Sequence, residues 1–205
     1  MKLKKSTIFI LVLSWILFFA ACFTAFFYLE QRQEAKATNE KIFKDQSTKK
    51  IAEKNDYADV KQFMADYYEK IQKDDREALK SMVEDFQELE KQQEAMTKYV
   101  EAYRELSNQA EQVEDTKDYI VYVTYELKIK GIDTPAPGMT PYYLKKDKDS
   151  FLIYNNEEHD TEDMKEAKEK SLGKENNKEL IRKVNQEYED ALKADKKLKE
   201  FFEDD

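Results

Sequence analysis

Four patterns of apolar and polar residues follow one another along the chain. From Thr7 to Leu29 it runs 23 residues without a charge. At about 1.5 Å per residue, such a helix crosses a hydrocarbon layer of about 30 Å. Glu30 to Asn55 is polar, with Ile42, Phe43 and Ile51 its large apolar residues, and reads as a stalk. Val60, Phe63, Met64, Tyr67, Tyr68 and Ile71 then recur at the spacing of one helical face. Asp56 is the expected cap of this helix. Ala78, Leu79, Met82, Val83 and Phe86 repeat the spacing, with Asp74 or Asp75 as the cap. Phe86, Leu89, Met96, Tyr99, Val100 and Tyr103 predict a third helix over 85–103.

From Tyr119 to Lys130 the period changes to two. Tyr119, Val121, Val123, Tyr125, Leu127 and Ile129 fall on one side, and Tyr122, Thr124, Glu126, Lys128 and Lys130 on the other, which predicts a long strand with one buried face. All three prolines (Pro135, Pro137, Pro141) and two of the three glycines (Gly131, Gly138) lie in the next eleven residues, which predicts a structured connection over 131–141. Met139–Lys146 and Phe151–Asn155 form a predicted hairpin across 147–150, and a further strand is expected within 105–113. Beyond Asn156 the chain is charged until Leu180, Ile181, Val184, Tyr188 and Leu192 mark an amphipathic helix, followed by Leu198, Phe201 and Phe202. The expected organisation is a cytoplasmic tip and transmembrane anchor over 1–29, a stalk over 30–55, an α+β domain over 56–156, and a charged linker with a C-terminal amphipathic helix over 157–205.

Lys2, Lys4 and Lys5 precede the apolar run, while Glu30, Arg32, Glu34 and Lys36 after it balance. This asymmetry predicts a single-pass membrane protein with a cytoplasmic N-terminus and an extracytoplasmic domain. The run continues through Phe26 and Phe27 without a cleavage motif, against a cleaved signal. Phe19-Ala20-Ala21-Cys22 resembles a lipobox, which makes Cys22 a candidate for lipidation. Against this stand Phe19, Phe23 and the further apolar stretch.

Beyond Leu29 there remain 32 basic against 44 acidic residues, a net charge of −12, which predicts no affinity for nucleic acid. Cys22 is the only cysteine and His159 the only histidine, so no thiolate metal site, zinc site or cofactor is expected.

Helices first, then a long strand and an antiparallel meander, resembles the nuclear-transport-factor-2-like (NTF2-like) superfamily, a cone in which a curved sheet wraps a helix pair. The likeness covers about 56–156 and is carried by Val60–Ile71, Ala78–Phe86 and Tyr119–Lys130. Tyr119 to Gly138 also resembles the anchored extracytoplasmic versions in Gram-positive bacteria. That superfamily holds enzymes and binding modules alike. Its isomerase branch implies a carboxylate deep in the cone, and Asp133, in the constrained loop, is the best acid candidate. An aspartate before a turn more often bonds nearby backbone. Glu126 shares its face with Lys128 and Lys130, a solvated strand surface. His159 sits among Glu157, Glu158 and Asp160 without an apolar pocket. Asp147, Asp149, Glu157 and Glu158 lack the glycine and alternating oxygens of a calcium loop. No catalytic set and no metal site is assigned. If the cone binds a ligand, its mouth is expected at Asp133, Thr134, Pro135, Pro137, Tyr142 and Tyr143. The expected function is therefore a tethered, non-catalytic binding or interaction module. Its expected partners are the membrane and an envelope protein or cell-wall component. The alternative is a small-molecule-binding or isomerase-like domain.

Overall fold

A computed structural model describes residues 57–203. In chain order these form α1 (Ala58–Lys73), α2 (Arg76–Lys80), α3 (Phe86–Tyr99), β1 (Val100–Gln112), β2 (Tyr119–Ile129), β3 (Ala136–Asp147) and β4 (Ser150–Tyr154). A 3-10 turn (Glu157–His159), α4 (Glu162–Leu172), α5 (Glu175–Ala194) and α6 (Lys196–Glu203) follow. The class is α+β, with one antiparallel sheet in the order β1-β2-β3-β4.

Two expectations are corrected at this level. A transmembrane helix was expected to open the fold, yet no helix among the described residues is long and apolar enough to cross a membrane. The fold is therefore stated without one, and the single-pass assignment has no support. The expected anchor, the stalk, Asp56 and Cys22 all lie outside the described residues. The expected cone, in which the sheet wraps helices on one face, is also revised, because helices cover both faces here.

On one face lies α1. Its stripe of Val60, Phe63, Met64, Tyr67, Tyr68 and Ile71 is buried in full against Val121, Val123, Tyr125, Leu144, Phe151 and Ile153. Burial at about 25 cal/mol per Å² of apolar surface drives this packing. The opposite face of β2 and β3 carries Ile120, Tyr122, Met139 and Tyr143, also buried. The alternation in β2 was therefore misread as one buried face. It is a strand buried on both, and its second face lies beneath the C-terminal helices.

The second helix is shorter than its spacing predicts. Asp75 caps α2 by accepting from the Ala78 N–H at 3.2 Å, but the helix ends after five residues. Residues 82–84 instead pair with β4: Ile153 N–H donates to Met82 O at 2.9 Å and Glu84 N–H to Ile153 O at 2.8 Å. Met82 and Val83 thus obey a helical spacing while serving as an extended segment that covers the β4 edge, an edge otherwise open to pairing. Asp85 then caps α3 through the Glu88 N–H at 3.0 Å, and α3 stops at Tyr99. Val100 and Tyr103, expected on a helix, begin β1, which starts five residues before the strand expected there.

The proline-rich connection is shorter than expected, because Pro137, Gly138 and Pro141 stand inside β3. Between Ala136 and Leu144, β3 pairs with β2, but β4 joins only from Tyr143 onward. Pro137 and Pro141 therefore occupy a stretch with one neighbour, where a missing N–H breaks no ladder. Gly138 faces Tyr125 across the ladder, and a Cβ there would stand 2.5 Å from the Tyr125 ring.

In the C-terminal tail the amphipathic helix expected at Leu180–Leu192 lies within α5, while part of the segment read as charged and aperiodic forms α4, and α6 follows. Thr161 caps α4 through the Met164 N–H at 3.3 Å. α6 seats Leu198 in a second apolar cluster with Ile129, Ile132 and Ala136.

Candidate functional site

Between α1 and the sheet, where the cone reading placed a ligand, tyrosine rings fill the space. Tyr68 stands at the centre. Its ring centroid lies 5.5 Å from that of Tyr67, 5.2 Å from Tyr103, 6.1 Å from Tyr125 and 6.3 Å from Tyr142. Most of these pairs meet edge to face, the arrangement the ring quadrupole favours. Alternation brings Tyr125 and Tyr142 here from β2 and β3, and the helical stripe of α1 brings Tyr67 and Tyr68. The hydroxyls of Tyr68 and Tyr142 are hydrogen-bonded at 2.9 Å, and so are those of Tyr125 and Thr140. Burial pushes Tyr125 up to about 12 and Tyr67, Tyr68, Tyr103 and Tyr142 well above the usual tyrosine range. These phenols remain neutral and packed as hydrophobic bodies, and those of Tyr68, Tyr125 and Tyr142 carry a hydrogen-bonded tip.

The residues expected at the mouth do not converge. Asp133 is exposed in the turn before β3. There Lys128 Nζ reaches the main-chain oxygens of Ile132 at 2.5 Å and Asp133 at 3.4 Å. Thr134 hydrogen-bonds Asp195, at the junction of α5 and α6, and this bond together with the Leu198 N–H holds the Asp195 carboxyl below its usual range. Pro135 and Pro137 are half-buried beside this junction. Tyr142 and Tyr143, adjacent in β3, point to opposite faces. Tyr142 enters the ring cluster, while Tyr143 donates to Asp118 Oδ2 at 2.9 Å. Burial and the Asp118 carboxylate both push the Tyr143 phenol up.

On the face opposite α1 a buried polar network ties α4 and α5 to β1 and β2. Asn177 and Ser171 are sealed from solvent. Asn177 Nδ2 donates to Ser171 O at 2.9 Å and to Ser171 Oγ at 3.2 Å, and its Oδ1 accepts from Gln109 Nε2 at 2.7 Å. Ser171 Oγ is hydrogen-bonded to the Tyr122 hydroxyl at 2.7 Å. Nothing in the sequence pattern announces this network, because its members lie in segments that read as polar surface.

His159 joins the 3-10 turn to the segment before α3. Its Nδ1 lies 2.9 Å from both Glu84 carboxylate oxygens, and that hydrogen bond raises its pKa above the usual 6.5. The neighbouring Asp85 carboxyl is held low, first by the Glu88 N–H and then by Asn156. A histidine with a raised folded pKa contributes stability that is fully present below its unfolded value and is lost as pH rises through the folded one. Thermal melts should therefore show the wild-type advantage over His159→Gln at pH 6 and its disappearance by pH 9. An advantage unchanged across that window would contradict the pairing.

A groove of about 640 Å³ opens between α2 and α3. Leu79 and Leu89 form its floor, both almost fully buried, with Phe86 beside them. Arg76 is ion-paired with Glu90, and its guanidinium carbon lies 5.8 Å from the Phe86 ring centre. Lys80 Nζ lies 5.5 Å from the same centre. Asp74, Lys91 and Glu94 complete the charged rim. No group of three or more metal-ligating side chains occurs among the described residues.

Comparison with known proteins returned no matching family model, no matching curated protein and no matching solved structure.

Proposed function

We propose that the chain is a non-catalytic binding module that recognises another macromolecule through its surface. The observation that carries this reading is the ring cluster: Tyr67, Tyr68, Tyr103, Tyr125 and Tyr142 occupy the interior that an isomerase-like or small-molecule reading requires to be open. The best acid candidate, Asp133, stands outside it. Likeness to the NTF2-like superfamily enters this proposal through element order alone. An envelope protein or cell-wall component is the proposed partner. The proposed location outside the cytoplasm rests on the N-terminal sequence, and proteolysis of intact cells tests it.

Photo-crosslinking of the full chain in envelope extracts, with a reactive residue placed in turn on each exposed face, tests the reading. One face should yield a saturable, competable partner. A small molecule bound between α1 and the sheet in a soaked crystal would overturn it.

A further inference from the structure

We infer that β1 pairs with β1 of a second copy of this chain, edge to edge and antiparallel, which joins two four-stranded sheets into one. The sheet protects its edges except at one place. Residues 82–84 cover β4. Along the first half of β1 the Tyr103 N–H is taken by Gln72 Oε1 at 3.2 Å, and a register shift between Arg104 and Ser107, with Glu105 at φ 48°, interrupts the strand. What remains is 107–112. Val113 N–H donates to Asp118 O at 2.9 Å, and the register runs back unbroken from Gln112 opposite Tyr119 to Ser107 opposite Thr124. Main-chain groups alternate in direction along a ladder, so Glu111, Gln109 and Ser107 bond β2 while the N–H and C=O of Asn108, Ala110 and Gln112 point away from it. Among the described residues no main-chain group bonds these three on their outer side. A row of this kind is a template for another strand.

The open stretch suits its own copy. From Glu105 to Thr116 the chain carries no lysine or arginine, the residues that most often blunt an edge. A two-fold axis at Ala110 sets Ala110 against Ala110, Asn108 against Gln112, Gln109 against Glu111 and Ser107 against Val113, and opposes no like charges. Asn108 Oδ1 is buried without a hydrogen-bond partner among the described residues, a cost that pairing removes. Turned about its side-chain bonds, this oxygen meets the Gln112 amide of the second copy. That amide nitrogen gives one hydrogen to Thr116 O at 2.6 Å and has another to donate. Symmetry makes the same bond twice. The inference concerns a second copy of the chain and stands whichever envelope partner the module binds.

The test is amide hydrogen exchange on the full chain in mild detergent, with about 0.3 M salt to screen its net negative charge. Protection of the Asn108, Ala110 and Gln112 amides should rise with protein concentration. Gln112→Glu, which removes the amide donor, should raise the concentration for half-protection about tenfold, because two hydrogen bonds are lost per dimer. Gln112→Pro, which deletes an outward N–H and leaves the β2 ladder intact, should abolish the concentration-dependent protection. In a Cys22→Ser chain, Ala110→Cys should form a disulfide-linked dimer at least about tenfold faster than Lys165→Cys on α4, because opposed Cα atoms about 5.5 Å apart lie within disulfide reach. Fast exchange of the three amides at every concentration would overturn the inference. So would protection that does not change with concentration, which would put a segment of the same chain on the edge. Equal crosslinking rates at 110 and 165, or pairing that ignores Gln112→Glu, would also overturn it. Thermal melts check that each variant is folded, and Gln112→Glu decides alone if Gln112→Pro is not.

Discussion

Tyr125→Ala should cost about 3–5 kcal/mol of folding stability, the range for removing a large buried ring. The ring touches Tyr68 and Tyr103, covers Gly138 and holds Thr140 through its hydroxyl at 2.9 Å. Deletion leaves a cavity and an unpartnered buried hydroxyl together. Against a total stability of about 5–15 kcal/mol, the loss is large. Chemical denaturation checks it, with Tyr125→Phe, which keeps the ring, expected to lose only about 1 kcal/mol. If the interior were a ligand cavity with tyrosines as its walls, Tyr125→Ala would be tolerated at about the same small cost.

Asn177→Leu is expected to cost about 1–3 kcal/mol despite its similar volume. It removes the partner of the half-buried Gln109 amide and the Asn177 bonds to Ser171, and a buried group left unsatisfied costs about 1–3 kcal/mol. Because Asn177 and Ser171 share one network, Ser171→Ala combined with Asn177→Leu should cost less than the sum of the single changes, with a coupling of about 0.5–3 kcal/mol. Strict additivity in denaturant melts would show that the network does not act as a unit. The expected loss also means that α4 and α5 belong to the folded unit and are not an appended tail.

The two effects differ in how far the sequence announces them. The Val60–Ile71 stripe follows from burial on one helical face, and the alternation from Tyr119 to Lys130 marks a strand, so α1, β2 and the side on which Tyr125 lies were readable, although β2 is buried on both faces and not on one. Boundaries failed where one pattern served another structure. Met82, Val83 and Phe86 keep a helical spacing, yet Met82 and Val83 lie in an extended segment along β4 and Phe86 opens the next helix. Pro137 and Pro141 look like strand breakers, but half of β3 lacks a second neighbour and tolerates them. The first half of β1, Val100 to Leu106, mixes charged and apolar residues without regular alternation, and it contains an irregularity of register with Glu105 in the left-handed region. α4 was missed because its buried residues are Met164 and Ser171, too few for an apolar stripe. The polar network shares this reason, since satisfied buried amides leave no mark in hydropathy. The groove was likewise hidden, because it forms only where α2 and α3, joined by an extended segment, face each other.

The measurement that bears most directly on a filled, water-free interior is an ultraviolet titration of the 13 tyrosines alongside far-ultraviolet circular dichroism from pH 8 to pH 13. A phenol whose folded pKa is raised contributes stability below its unfolded value of about 10 and withdraws it as pH climbs beyond. Exposed rings should ionise near pH 10 with the fold intact. Tyr67, Tyr68, Tyr103, Tyr125 and Tyr142 should ionise only together with loss of the circular dichroism signal, in one cooperative step. Smooth ionisation of all the tyrosines near pH 10, with secondary structure retained, would mean that water reaches the space between α1 and the sheet, and would contradict the account.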